Sequence, residues 1–188
     1  MIRAILLAVA LIAAPTLAAA APAPAWTMDR AASKLTFTAT FNDERFAGSF
    51  ARWSADIRFD PKNLAGSSVT ATIDVASAAT GDKDRDASLP TADFFAAPRF
   101  PRATFTAARF RDLGAGRYAA DGTLTIKGVA KPLTLPFSLA ITGRTAKMTA
   151  AVAINRLAFG VGSGQWASTE AIPAAVTVNI AISATRAQ

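Results

Sequence analysis

Histidine and cysteine are both absent from the chain. That removes disulfides, thiolate nucleophiles, Ser-His-Asp relays, zinc-finger spacings and imidazole-ligated metals, leaving carboxylates, Lys, Arg, Tyr and Ser for any chemistry. Such groups crowd in one place, Asp82-Lys83-Asp84-Arg85-Asp86, followed by Asp93 and the pair Phe94-Phe95. One reading makes Arg85, Asp86 and Asp93 a polar gate that meets the head of a ligand. A second makes Asp86 an acid/base group, its pKa raised by an apolar wall, in an isomerase or hydrolase acting on a hydrophobic substrate. The plainest is a solvated turn in which Asp93 caps a short helix and Arg85 pairs with a neighbouring carboxylate. Gly160-x-Gly162-x-Gly164 has the look of a phosphate-cradling loop, but that motif needs a strand before it and a helix after it, so a flexible turn is expected. No serine sits in a strand-to-helix elbow, and no carboxylate pair has a spacing suited to hydrolysis.

The charged cluster lies within Ser77–Phe105, the one long stretch where β alternation stops, which reads as a short helical or irregular excursion. Around it the pattern is sheet. Leu35, Phe37, Ala39 and Phe41 alternate with polar residues up to a turn at Asn42-Asp43-Glu44. Ala51, Trp53, Ala55, Ile57 and Phe59 form one side of a second strand that stops at Asp60-Pro61, and Val69, Ala71, Ile73 and Val75 mark a third. After the excursion come Ala103–Phe110, Arg117–Lys127, and Leu133–Thr142, in which Pro136 predicts an edge or a bulge. Met148–Asn155 and Val176–Ser183 complete the set.

Eight strands joined mostly by short turns, with no long helical period, predict an all-β antiparallel meander that removes its edges by closing into a barrel. Such a barrel is just wide enough for side chains or one slender ligand. The candidate lining falls in three groups along the chain: Phe37, Phe41, Phe50, Trp53, Ile57 and Phe59; Val69, Ile73, Phe94, Phe95 and Phe105; and Leu124, Ile126, Leu135, Phe137, Ile154 and Trp166. Small residues among them, Ala39, Ala55, Ala71 and Ala150, would leave space between rings in a hollow barrel and would simply interlock with them in a filled one.

Arg3, the apolar run Ala4–Ala14, the break at Pro15 and the small residues Ala18-Ala19-Ala20 have the form of an export leader over residues 1–20. The run is too short to span a bilayer. A Pro/Ala linker over residues 21–25, extended and mobile, and one domain over residues 26–188 are expected to follow, with the mature protein in the periplasm. Without Arg3 the 20 basic residues become 19 against 13 acidic ones, a net charge of +6. These charges are spread singly, without the clusters and interleaved aromatics that nucleic-acid binding uses, so no nucleic acid is expected and a mild attraction to anionic membranes is.

A set of ordered motifs resembles the YceI-like family of lipid-binding, lipocalin-like barrels. They are Trp26-x-x-Asp29, Ser33-x-Leu35-x-Phe37 and Gly48-x-Phe50, then Ser77-x-x-Thr80-Gly81, Arg85-Asp86-x-x-Leu89, Asp93-Phe94-Phe95 and Phe100-Pro101-x-x-x-Phe105, and finally Gly122-x-Leu124-Thr125-Ile126-Lys127-Gly128-Val129-Ala130-Lys131-Pro132. The resemblance spans nearly all of Trp26 to Arg186. It implies an extended eight-stranded antiparallel barrel, with the short helical excursion after the third strand, holding a long isoprenoid chain: a polyprenyl alcohol, a polyprenyl phosphate or a quinone tail. It also implies an exported protein able to form a homodimer. Relatives commonly carry histidine where this chain has Ala32, Phe41 and Ser88, so a head-group or metal contact that used those imidazoles would have no counterpart here. The expected function is a carrier or reservoir without catalysis and without a cofactor beyond the bound lipid, with an interaction module built on a filled barrel as the third alternative.

Overall fold

The computed structural model describes residues 21–188, so the expected leader, residues 1–20, lies outside the described residues. Ten strand segments form one antiparallel sheet: β1 (Ala25–Phe41), β2 (Glu44–Phe50), β3 (Trp53–Arg58), β4 (Ser68–Asp74), β5 (Ala78–Ala79), β6 (Arg102–Gly114), β7 (Arg117–Ile126), β8 (Val129–Thr142), β9 (Thr145–Asn155) and β10 (Ala175–Arg186). They make eight staves. β2 and β3 are two halves of one, broken at Ala51-Arg52, and β4 and β5 are halves of another, broken by a 3-10 turn at Val75–Ser77. β10 pairs with β1 from Trp26↔Arg186 to Thr38↔Thr177, which closes the wall. The barrel expected from alternation is therefore the observed fold.

Tight hairpins set the registers. Asn42 and Asp43 both adopt positive φ (48° and 65°), as do Ala115 and Gly116, and Lys127 and Gly128. Two such residues in succession give the turn whose twist matches that of the strands it joins.

One strand was hidden from the sequence reading, which assigned nothing between the turn at Asn42 and Ala51. β2 fills that interval and pairs with β1 from Thr36↔Ser49 to Phe41↔Glu44. Its inward alternation is Phe46, Gly48, Phe50, and the glycine breaks the apolar signal. Gly48 is required because a Cβ there would overlap the ring of Phe37 and come within 2.9 Å of the Ala79 carbonyl oxygen.

Residues 21–25, expected to form a mobile linker, are docked. Ala23 is 1% exposed, its N–H donates to the Gly66 carbonyl at 2.8 Å, and the Asn63 side chain donates to the Ala21 carbonyl at 2.8 Å. Strand pairing extends this hold, because Ala25 already faces Arg58. The small size of Ala23 lets the backbone settle into the Asp60–Ser67 turn, a fit that a composition rule for linkers does not register.

The excursion carries one helix, α1 (Lys83–Ser88), capped by Asp82, whose carboxylate accepts from the N–H groups of Asp84 and Arg85. The cap is thus Asp82 and not Asp93. At the opposite end of the barrel, Phe59 meets Phe110, Tyr118 and Phe137 with ring centroids 5.4, 5.3 and 5.9 Å apart, and Trp26 donates its indole N–H to the Phe59 carbonyl at 2.9 Å.

Candidate functional site

Inside the wall lies a cavity of about 560 Å³, within the range of small-molecule sites of roughly 300–1,000 Å³. Every apolar residue expected in the lining borders it. Neighbouring staves bring them together in rows: Trp53 opposite Ile73, Ile57 opposite Val69, and Phe105 opposite Leu124. Ala55 faces Ala71 across β3 and β4, and Ala71 faces Phe105 across β4 and β6. Two adjacent alanines on the inner wall leave the width that larger side chains would have taken. Ala39 lines the cavity as well, whereas Ala150 does not.

The mouth is aromatic. Phe37, Phe50 and Phe95 form one chain of rings with centroid spacings of 5.5 and 6.0 Å, and Phe41, Trp166 and Phe94 form a second with 6.3 and 5.8 Å. Polar lining residues lie at the two ends: Thr80, Asp82, Asp84, Arg85, Ser88 and Arg156 at the mouth, Arg58 and Ser68 at the other.

Of the three residues expected to form a gate, only Arg85 borders the cavity. Its guanidinium lies 4.4 Å from the centre of the Phe46 ring and 3.5 Å from the Asp82 carboxylate, and its side chain is 31% exposed. The Nε of Arg85 is buried without a hydrogen-bond partner among the described residues. Asp86 faces back into its own loop and accepts from the Thr80 N–H at 2.6 Å, the Thr80 hydroxyl at 2.8 Å and the Gly81 N–H at 3.2 Å. Those Thr80 bonds, ahead of all else, hold its pKa below the usual carboxylate range. This is the reverse of the raised value an acid/base role would need, and Asp86 is a turn clamp. Asp93 is a latch. Its carbonyl accepts from the N–H groups of Gly162 and Ser163 at 2.7 and 2.8 Å, and its carboxylate from the Ser163 hydroxyl at 3.1 Å. Lys127 spans the same joint, donating to the carbonyls of Ala92 and Gly160 at 2.7 Å each.

The glycine-rich loop wraps a cation rather than a phosphate. Arg156, only 5% exposed, donates to five carbonyls: Pro173 at 3.2 Å, Val161 at 3.0 Å, Gly162 at 3.1 Å, Ser168 at 3.1 Å and Ile172 at 2.8 Å. All five guanidinium N–H groups are used, which is how a buried cation is tolerated without a carboxylate beside it. Sequence reading missed this residue, as it missed the lining by Phe46 and Met148. A lone arginine after a strand carries no pattern; the only hint was the run of glycines that follows it.

A closed antiparallel barrel, apolar along its length and polar at its ends, defines a protein of the hollow, ligand-enclosing barrel class. More narrowly, the chain belongs to the YceI-like domain family, which residues 26–184 match. A UPF0312 protein of Vibrio campbellii is 36% identical over 88 residues, covering 47% of each chain, so the match spans about half the length of the curated relatives. The crystal structure of Burkholderia cenocepacia BcnA is 35% identical and superposes with a TM-score of 0.81 over 84% of this chain and 99% of that one. A polyisoprenoid binding domain from Saccharophagus degradans shares the fold with a TM-score of 0.71 over 87% of this chain and 99% of the other, and at 18% identity the likeness concerns the fold alone.

Proposed function

We propose that this protein binds one long isoprenoid chain, a polyprenyl alcohol, polyprenyl phosphate or quinone tail, along the barrel axis and serves as a carrier or reservoir without catalysis. The reading rests on one observation, a continuous apolar cavity whose polar lining residues stand only at its ends. Membership of the YceI-like family and the ligand named for the Saccharophagus degradans domain support the choice of an isoprenoid. Moving each methylene from water onto such a lining gains about 0.8 kcal/mol, so ten of them approach roughly 8 kcal/mol and micromolar affinity before ordering costs. Affinity then needs no strong head-group contact. Arg85, with its free Nε, is the group we assign to orienting the head.

The pattern of residues 1–20 supports export to the periplasm, and a net positive surface suits brief contact with anionic membranes. One tunnel per chain serves a monomer and a homodimer equally well. Extraction of the purified protein with organic solvent, followed by mass spectrometry, tests the reading: a stoichiometric polyprenyl compound is expected. Protein that carries none, and takes up no polyprenyl quinone after delipidation, overturns it.

A further inference from the structure

The barrel wall is not uniformly bonded. β7 pairs with β8 along its whole length, from Arg117↔Ser138 to Ile126↔Val129, and β9 pairs with β10 from Asn155↔Ala175 to Thr145↔Thr185. Between β8 and β9 the ladder runs only from Thr142↔Thr145 to Phe137↔Ala150. Among the described residues, no ladder pair joins Pro132–Pro136 to Ala151–Asn155, although both stretches are strand.

The reason is written in β8. Leu139 donates its N–H to the Gly116 carbonyl beside β7 at 2.8 Å. Because N–H groups alternate sides along a strand, odd-numbered residues of β8 face β7 and even-numbered ones face β9. Pro132, Thr134 and Pro136 therefore stand on the β9 side, and two of those three positions have no N–H to give. The seam is held instead by apolar contact: Leu133, Val152 and Ile154 pack with buried Leu135 and Phe159 in one cluster. Outward positions flanking it, Thr134, Pro136, Ala151 and Ala153, are exposed and uncharged.

We propose that this seam between β8 and β9 is a lateral portal through which the hydrocarbon chain enters and leaves, an inference that rests on the carrier reading above. Opening a bonded wall would strand backbone donors and acceptors against an oily ligand, whereas parting Leu133 and Leu135 from Val152 and Ile154 breaks only apolar contacts. A passing hydrocarbon replaces those contacts with its own surface. The mouth, latched by Asp93 and Lys127, then keeps the head group in place while the chain moves sideways.

The chain has no cysteine, so a staple can be placed without background. In the continued register Thr134 lies opposite Ala153. A Thr134→Cys/Ala153→Cys pair, joined by oxidation or by a short bismaleimide, is compared with a Ser138→Cys/Thr149→Cys pair in the part that is already bonded. Transfer of a polyprenyl quinone from phosphatidylcholine vesicles is followed by quenching of tryptophan fluorescence. Stapling the seam is expected to slow transfer by about tenfold or more, with recovery on reduction of the disulfide, while the second staple changes nothing. A Pro132→Thr/Pro136→Thr variant, which restores both donors, is expected to slow it too. Unchanged transfer with the seam stapled, or in the proline variant, overturns the portal. Absence of any quinone uptake by the unmodified protein overturns the carrier reading itself, and the portal with it.

Discussion

Gly162 and Arg156 touch so closely that a Cβ on the glycine would overlap the guanidinium, and Gly162 holds a left-handed backbone at φ 79°. The glycine is there to let its own carbonyl and those of its neighbours close on a buried cation.

Replacing Arg156 by Met would orphan five carbonyls at once, and an unmet buried acceptor costs about 1–3 kcal/mol before water or rearrangement relieves it. Urea denaturation should show Arg156→Met destabilised by about 3 kcal/mol, with Arg156→Lys recovering only part, since an ammonium cannot span the same fork of acceptors.

Acid should weaken the fold in a defined window. Asp74 and Asp86 are held below the usual carboxylate range by hydrogen bonds from Arg52 and Thr80 respectively, and Asp121 is held down to about 2, chiefly by Arg111 and then by Thr134. A depressed carboxylate contributes stability above its unfolded pKa and loses it as pH falls through the folded value. The urea midpoint is expected to be flat from about pH 5 to about pH 7, where a chain without histidine has little to titrate, and to fall from about pH 4 toward about pH 2.

Widening side chains at the alanine pair should block the tunnel without harming the fold. In a packed core, added volume costs about 1–3 kcal/mol, but Ala71 borders open space. Ala71→Trp should therefore keep its melting temperature and lose one-to-one uptake of a polyprenyl quinone, measured by titration.

Loosening the latch should be visible locally. Ser163→Ala removes a hydroxyl bonded to Asp93, a contact of about 1 kcal/mol, so amide exchange over residues 93–97 and 160–166 is expected to rise about fivefold with global stability unchanged. The readout is hydrogen exchange by mass spectrometry.

Much of this was legible in the chain because a two-residue period survives wherever the inward position is apolar. Phe105 and Leu124, or Trp53 and Ile73, advertise their face by their neighbours. The period fails at Gly48, where close approach to Phe37 demands an absent side chain, and β2 vanished with it. Asp86 and Asp93 looked like site residues because charge near aromatics attracts that reading. Which way a carboxylate turns depends on which N–H groups the loop presents, and Thr80 and Ser163 stand six and seventy positions from the acids they satisfy. Arg156 shows the same limit more sharply, since its partners are all main-chain carbonyls and no side-chain type announces them.

The docking of Ala21–Ala25 beside Arg58 and Gly66 has a consequence for attachment. Ala187 donates its N–H to the Ala25 carbonyl at 2.9 Å, so both termini of the described chain leave from the base, remote from Arg85. A tag, tether or lipid anchor fused at either terminus would hold the molecule like a cup on its foot, with the rim turned away from the support and free to meet whatever hands over or receives its contents.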